Sequence, residues 1–264
     1  MMFLNHFKMS AHPFHEHPPV NWILKHEPFT QALARLHYFA LQGTFALMIG
    51  QTGVGKSSLL RVFMQDLSKN RYRPLYVHFT DINAHAFLRL IVNQLGEAPR
   101  RGKERLFLQI IERIKKTDLT TLMIIDEAHL IDPEALTDLR LLVSSAMETT
   151  LPLKIILCGQ DPLAHLLART AYTDLVHRIC VQCHLYPLTK DQSVAYIDSR
   201  MHWAEASEKI FEPEAKTIIH DYASGIPRQI NNIATACLIN AATKNLKKID
   251  EPLVTETMSE FHLP

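Results

Sequence analysis

The chain has 264 residues, of which 47% are hydrophobic and 21% charged, and its formal net charge is +1. These proportions are those of a globular protein with a substantial core, so they exclude a chain that is disordered throughout. The near-neutral total neither demands nor excludes a nucleic-acid partner, because a local basic surface is compatible with a balanced sum. The longest apolar runs, at 45–49 and 122–125, are strand-sized, so we expect no transmembrane helix and a cytoplasmic protein without a membrane partner.

Segments typical of strands and of helices alternate up to residue 187. After an irregular segment rich in His and Pro at 1–28, the apolar spacing predicts a helix at 29–41, a strand at 45–49 and a helix at 57–67. Further strands are predicted at 74–79, 122–125, 153–157 and 179–185, and further helices at 84–95, 104–116, 133–147 and from 163 onwards. This alternation predicts an α/β fold with a parallel five-stranded sheet between layers of helices.

The pattern becomes purely helical after Pro187, with helices predicted at 190–204, 213–223, 227–243 and 251–260. Pro213, Pro227 and Pro252 stand near three helix starts, where a missing N–H is harmless. We therefore predict three parts: an N-terminal segment and helix that pack on the core (1–40), an α/β domain (41–187) and an all-helical lid (188–264).

A glycine-rich octapeptide, GQTGVGKS at 50–57, stands between a predicted strand and a predicted helix. It matches the pattern G-x-x-x-x-G-K-[ST] in full and in the context that the pattern requires. Its glycines allow a tight turn whose N–H groups, with the positive end of the next helix, hold a polyphosphate. We expect Lys56 to reach the β- and γ-phosphates of ATP and the Ser57 hydroxyl to bind Mg²⁺. The residues expected to contact the nucleotide are Gly50, Gln51, Thr52, Gly53, Val54, Gly55, Lys56, Ser57 and Ser58.

Two carboxylates, Asp126 and Glu127, follow the apolar strand predicted at 122–125. They would lie at the carboxyl edge of the sheet, where open α/β sheets bind ligands. We expect Asp126 to hold Mg²⁺ through water and Glu127 to polarise the attacking water as a general base. The letters DEAH at 126–129 also spell a helicase box, but we expect no second motor domain in this chain, and His129 is interpreted as a local hydrogen-bonding residue.

Further polar residues are candidates for contact with the γ-phosphate. Gln160 follows the strand predicted at 153–157 and is a candidate sensor, with a plain turn glutamine as the alternative. Arg228 opens a predicted lid helix, and we expect its guanidinium to face the nucleotide. An arginine that reaches the γ-phosphate of a neighbouring subunit would stabilise transition-state charge. We favour Arg178 over Arg169 for that role, with a surface ion pair as the alternative for either.

These motifs, in this order and followed by a helical lid, resemble those of AAA+ ATPases over most of the chain. Three sequences narrow the resemblance to ExeA/GspA-type ATPases: HFKMSAHPF at 6–14, IILCGQDPL at 155–163 and GIPRQINNIA at 225–234. That group includes secretion ATPases and transposition ATPases similar to TnsC, TniB and MuB. The resemblance implies phosphate, Mg²⁺ and water contacts for Lys56, Ser57, Asp126 and Glu127, and sensor roles for Gln160 and Arg228.

The resemblance leaves different functions open. Secretion ATPases of this type resemble longer chains with a membrane span and a wall-binding domain. The compact length therefore favours a transposition regulator that oligomerises on double-stranded DNA, as a hexameric ring or helical filament. Such a protein is implied to recruit or activate a transposase, together with a target-selector protein. The alternatives are an ExeA/GspA-type ATPase that acts on envelope assembly, and a switch that binds ATP mainly to assemble and turns over slowly.

A basic loop gives modest support for contact with DNA. Arg100, Arg101 and Lys103 follow the helix predicted at 84–95. Repeated around an oligomer, this small charge per subunit would become a large phosphate-binding surface. The alternative is a solvated helix end, where cations are favoured in any case.

Overall fold

The computed structural model describes residues 2–78, 82–144, 151–206 and 209–260. Packing divides the chain into two compact units. The sheet unit comprises Pro28–Gln51 and Leu59–Leu185, and the helical unit comprises Met1–Glu27, Thr52–Ser58 and Tyr186–Pro264. The last residue of the strand predicted at 74–79 and the last three of the helix predicted at 133–147 lie outside the described residues.

A five-stranded parallel sheet forms the centre of the sheet unit. Its strands are β1 (Phe45–Gly50), β2 (Tyr72–His78), β3 (Thr120–Asp126), β4 (Leu153–Gly159) and β5 (Ile179–Leu185). They lie in the order β2-β3-β4-β1-β5, with parallel pairing throughout. Every residue of β1 is buried, because a central strand is covered on both faces, whereas burial alternates along the outer strands β2 and β5. The predicted fold class is confirmed.

The helices follow the apolar periodicity of the sequence closely. Asn83 caps one of them by accepting a hydrogen bond from the Ala86 N–H at 2.9 Å, and Phe87 and Ile91 then bury the inward stripe of the same helix. Pro213, Pro227 and Pro252 each stand in the first turn of a helix, as predicted. The helices are α1 (Met2–Phe7), α2 (Glu27–Gln42), α3 (Lys56–Asp66), α4 (Ala84–Gln94), α5 (Lys103–Lys115), α6 (Pro133–Ser144), α7 (Asp161–Leu167), α8 (Thr173–His177), α9 (Lys190–Trp203), α10 (Pro213–Ala223), α11 (Pro227–Thr243) and α12 (Glu251–Glu260).

Residues 1–27 pack with the C-terminal helices. Phe3 and Phe14 are buried in one apolar cluster with residues of α9, α10, α11 and α12. Residues 28–40, which we predicted to pack on the core together with this segment, lie in the sheet unit. The N-terminal segment, expected to be irregular, begins with α1 and places aromatic side chains in the core of the helical unit.

A buried arginine anchors this N-terminal segment. Arg200 of α9 is 1% exposed, and it donates hydrogen bonds to the carbonyls of Pro13 at 2.6 Å and of His15 at 2.7 Å. A buried guanidinium needs such acceptors, because an unpaired charge inside a protein is costly. Burial lowers the pKa of Arg200, whereas the nearby Tyr196 raises it. The centre of the Tyr196 ring lies 5.6 Å from Cζ of Arg200. The segment is thus held by polar as well as apolar contacts.

Candidate nucleotide-binding site

The octapeptide at 50–57, which we call the phosphate loop, forms a turn between β1 and α3. Gly53 has φ 84° and Gly55 has φ 105°, angles that side-chain-bearing residues rarely adopt. Apart from Gly55 and its two chain neighbours, no heavy atom of the described residues lies within 4 Å of a Cβ added to Gly55, so the backbone conformation, not packing, requires this glycine. Lys56, which begins α3, is buried, and Ser57 is exposed. The first N–H groups of a helix lack intrahelical acceptors, so this turn fits a bound phosphate.

Arg228 contacts the phosphate loop within the helical unit. Its N–H donates to the Gly53 carbonyl at 3.3 Å, and a Cβ added to Gly53 would lie 2.9 Å from the Arg228 Cβ. The Arg228 side chain is 55% exposed, with Nη2 3.9 Å from an oxygen of Glu16. A glycine is therefore required at position 53 for two reasons. The turn needs a positive φ there, and α11, with Arg228 in its first turn, lies too close for a Cβ.

The tetrapeptide GIPR at 225–228 needs a glycine at its first position, because the backbone of Leu188 lies close to Gly225. Gly225 has φ 69°, and a Cβ there would lie 2.1 Å from the Leu188 carbonyl oxygen. The Leu188 N–H donates to the Gly225 carbonyl at 2.8 Å. Pro227 then opens α11 and places Arg228 in its first turn. These contacts fix the start of α11 against the segment that enters α9.

Three strands end together at the carboxyl edge of the sheet. β4 lies between β1 and β3, and Ile49 pairs with Gly159 while Ile125 pairs with Leu157. The ends of these strands therefore bring the start of the phosphate loop, the predicted carboxylates and the predicted sensor to one edge of the sheet unit. This is the edge at which open α/β sheets bind ligands.

Asp126 is buried at the end of β3 and its two oxygens accept different hydrogen bonds. The Tyr76 hydroxyl donates to Oδ2, and the Glu127 N–H donates to Oδ1 at 3.0 Å. Sequence reasoning missed Tyr76, whose only signal is its place on β2, two residues before His78, the register partner of Asp126. The carboxylate that we predicted to hold Mg²⁺ is thus oriented by a neighbouring strand.

Glu127 has left-handed backbone angles, φ 57° and ψ 33°. Such angles are unfavourable for a residue with a side chain, and strain of this kind is concentrated at functional sites. One oxygen of its half-buried side chain lies 3.3 Å from Nδ1 of His129, and Nε2 of His129 lies 3.1 Å from Nε2 of Gln160. His129 is therefore a local hydrogen-bonding residue, as interpreted from the sequence.

The two candidate arginine fingers are exposed. Arg169 follows α7, and Arg178 directly follows α8, with its N–H donating to the Leu175 carbonyl at 3.0 Å. Neither guanidinium has an ion pair or hydrogen bond within the described part of the chain. Both therefore meet the requirement that a residue acting in another subunit be accessible.

The basic loop at 100–103 is partly neutralised. Arg100 pairs with Glu112 at 3.2 Å, and Lys103 contacts Glu134 at 2.5 Å and Asp138 at 2.9 Å. Burial works against the charge of Lys103, but these two carboxylates prevail and raise its pKa. Arg101 is exposed and has no charged partner among the residues described, so it carries most of the available charge of the loop.

The described residues contain no group of three or more His, Cys, Asp or Glu side chains that could hold a metal ion. Mg²⁺ is commonly held by one or two protein oxygens together with substrate phosphates, so this finding is compatible with a magnesium nucleotide. In the same residues, no helix combines the length and apolar character that a membrane span needs.

Residues 40–167 match a family model described as an AAA domain. The chain is 30% identical over 255 residues to General secretion pathway protein A of Aeromonas hydrophila, a match that covers 94% of this chain and 46% of that protein. The chain thus spans less than half the length of this relative.

Two proteins of Aeropyrum pernix with solved structures share the fold. The ORC1 protein in complex with DNA matches at a TM-score of 0.72 and 15% identity, over 92% of this chain and 67% of that chain. The ORC2 protein in ADPNP–ADP complexes matches at a TM-score of 0.71 and 19% identity, over 95% of this chain and 71% of that chain. At these identities the likeness shows the fold alone. Together with the match of residues 40–167 to an AAA domain model, this likeness shows that the chain has the P-loop AAA+ fold.

Proposed function

We propose that this chain binds ATP at the phosphate loop and hydrolyses it. The observation that carries the proposal is the turn itself, in which Gly53 and Gly55 hold positive φ immediately before the helix that begins at Lys56. Such a turn presents N–H groups to an anion. The AAA domain match over 40–167, which includes the whole loop, supports the same conclusion.

The side chains suit the steps of phosphoryl transfer. The Lys56 ammonium would bind the β- and γ-phosphates, while Ser57 and Asp126 would hold Mg²⁺. Bound Mg²⁺ would neutralise charge on the phosphate oxygens. Asp126 is fixed for that task by the hydrogen bonds from Tyr76 and from the Glu127 N–H. The Glu127 carboxylate, which lies 3.3 Å from Nδ1 of His129, would accept the proton of the attacking water.

Three further residues would act on the γ-phosphate. Gln160 offers an amide N–H at the edge where β1, β3 and β4 end. Arg228 would act from the helical unit, since its backbone already contacts Gly53. Arg178 would act on a neighbouring subunit, with Arg169 as the second candidate for that role.

Hydrolysis by the purified chain tests this proposal directly. With γ-labelled ATP and Mg²⁺, we expect release of labelled phosphate that chelation by EDTA abolishes. Absence of turnover, together with absence of equilibrium ATP binding, would contradict the proposal. Binding with very slow turnover would support the switch interpretation, in which ATP serves assembly.

Two proposals concern the partner. Similarity to General secretion pathway protein A over 94% of this chain favours an ATPase that acts on envelope assembly. Exposed arginines in the sheet unit, Arg101 and Arg105, favour assembly on double-stranded DNA, as a hexameric ring or filament that recruits a transposase with a target selector. The pairing of Arg100 and Lys103 with acidic side chains reduces the charge available for the second proposal.

Sedimentation with duplex DNA separates the two proposals. The DNA proposal predicts co-sedimentation that requires ATP and weakens as salt rises, because basic side chains displace counterions from the phosphates. The secretion proposal predicts the same sedimentation with and without DNA. A negative-stain image of rings or filaments formed only with both ATP and DNA would decide for the first.

A further inference from the structure

The turn after β3 places the side chain of His129 between those of Gln160 and Glu127, all in the sheet unit. His129 stands in a short 3-10 turn, Ala128–Leu130, and its side chain is only 14% exposed. Its Nε2 lies 3.1 Å from Nε2 of Gln160, and its Nδ1 lies 3.3 Å from Oε2 of Glu127. One imidazole ring thus spans the gap between the proposed sensor and the proposed general base.

The chemistry of the partners gives the hydrogen bonds a direction. An amide nitrogen only donates, so Gln160 donates and Nε2 of His129 accepts. A neutral imidazole then carries its proton on Nδ1, which faces a carboxylate of Glu127 that only accepts. The amide of Gln160 has a second N–H, which this arrangement leaves for a phosphate oxygen.

The contact between His129 and Glu127 is close but poorly aligned. Although Nδ1 and Oε2 are 3.3 Å apart, the buried Nδ1 makes no hydrogen bond of good geometry with any described residue. A buried donor in this state costs free energy, and contacts of this kind tighten when the site fills.

The backbone fixes the ring relative to the end of β4. A Cβ added to Gly159 would lie 3.1 Å from the backbone nitrogen of His129 and 3.0 Å from Cδ2 of Leu163. Ala128 is fully buried, and the Leu130 N–H closes the turn on the Glu127 carbonyl at 2.9 Å. The turn that carries His129 is therefore packed directly against the residue that precedes Gln160.

We propose that His129 is a positioning residue that sets the orientation of Glu127 according to whether Gln160 is engaged. The proposal rests on the proposed function, in which Glu127 is the general base and Gln160 faces the γ-phosphate. A phosphate oxygen that accepts the second N–H of Gln160 fixes the amide, the amide fixes the ring, and the ring aligns the carboxylate. After the γ-phosphate leaves, that alignment is released.

Two isosteric variants separate the halves of this chain of contacts. An asparagine side chain places a nitrogen near the Nδ1 position, and a glutamine side chain reaches toward the Nε2 position. His129→Asn therefore keeps a donor for Glu127, whereas His129→Gln keeps a partner for Gln160. His129→Ala removes both contacts of the ring, and Gln160→Ala removes the contact with Nε2 of His129 together with the N–H left for the phosphate oxygen.

The test measures kcat and the equilibrium Kd for ATP in these variants of the full chain, with thermal unfolding to show that each is folded. We expect His129→Ala and Gln160→Ala each to lower kcat roughly 10- to 100-fold, as removal of an orienting group does, with Kd changed less than about twofold. The double variant should be no slower than the slower single variant, because both changes interrupt one chain of contacts. His129→Asn should recover more of kcat than His129→Gln.

Other outcomes would overturn the proposal. A kcat of His129→Ala equal to that of the parent would show that the ring has no such role. Multiplicative losses in the double variant would show that His129 and Gln160 act separately. Failure of the proposed function is distinguishable, since it appears as parental turnover by Glu127→Gln. If Glu127→Gln is slow while His129→Asn, His129→Gln and His129→Ala all match the parent, only the positioning role is lost.

Discussion

The phosphate loop and the carboxyl edge of the sheet are built in opposite ways. The loop is one contiguous octapeptide at 50–57, whose glycines and lysine specify the turn by themselves. The edge is assembled from separate strands: Tyr76 comes from β2, Asp126 from β3, and Gln160 follows β4. A site formed by one contiguous segment can be recognised in the sequence. A site assembled from separate strands depends on the strand order, which cannot be seen in the sequence.

The two carboxylates of the edge show the same contrast on a smaller scale. Asp126 is buried and accepts two hydrogen bonds, so its position is determined. Glu127 is half-buried, stands in a left-handed conformation and faces a histidine that is close but not aligned. In the proposed function, Asp126 would be a fixed ligand of Mg²⁺ and Glu127 an adjustable base.

The largest expected effect tests the contiguous site. Lys56→Ala should abolish measurable ATP binding, because the buried ammonium that would pair with the phosphates is lost. Titration with a fluorescent ATP analogue measures the change, and Lys69→Ala, a change at an exposed lysine, is the control. Equal affinity in Lys56→Ala and the parent would remove the loop from the site.

The next effect tests the adjustable base. Glu127→Gln should keep ATP affinity within a few-fold of the parent but slow hydrolysis roughly 10²- to 10⁴-fold, since the amide does not accept the proton of the attacking water. Single-turnover hydrolysis gives the rate. A parental rate would show that another group is the base.

A smaller effect tests the fixed ligand. Tyr76→Phe removes one hydrogen bond to the Asp126 carboxylate, so the Mg²⁺ concentration that gives half-maximal hydrolysis should rise about tenfold. Tyr72→Phe is the matched control: it lies on the same strand, but its hydroxyl donates to the Ala40 carbonyl at 2.9 Å. An equal Mg²⁺ requirement in both variants would mean that Tyr76 does not orient Asp126.

The smallest expected effect concerns the basic loop. If duplex DNA binds there, Arg101→Ala should weaken binding at all sequences and reduce the salt slope by about one. Arg100→Ala, which removes a side chain already paired with Glu112, should change the slope less. The slope comes from filter binding at several salt concentrations, and equal slopes in both variants and the parent would place the DNA elsewhere.

Much of the fold could be predicted from local pattern. Helices α10, α11 and α12 coincide with their predicted bounds, since apolar periodicity and a proline near each start set them. The N-terminal segment could not be placed in the same way. Its contact with Arg200 joins residues 187 positions apart in sequence, and nothing local marks that arginine as buried.

The candidate site divides along the same line. The phosphate loop and the pair Asp126–Glu127 were predictable because each is a short run beside a strand. Tyr76 was not, because its role depends on β2 pairing with β3 in a register that sets His78 against Asp126. The pairing of Lys103 in α5 with Asp138 in α6 also depends on a contact between separate helices.

The central claim is that one site binds ATP through the phosphate loop and cleaves it with Glu127. The most direct measurement is the nucleotide recovered from the parent and from Glu127→Gln after incubation with labelled ATP and Mg²⁺ and rapid filtration. The account predicts ADP from the parent and intact ATP retained by Glu127→Gln. Absence of bound nucleotide from both proteins, or ADP at the parental rate from both, would contradict it.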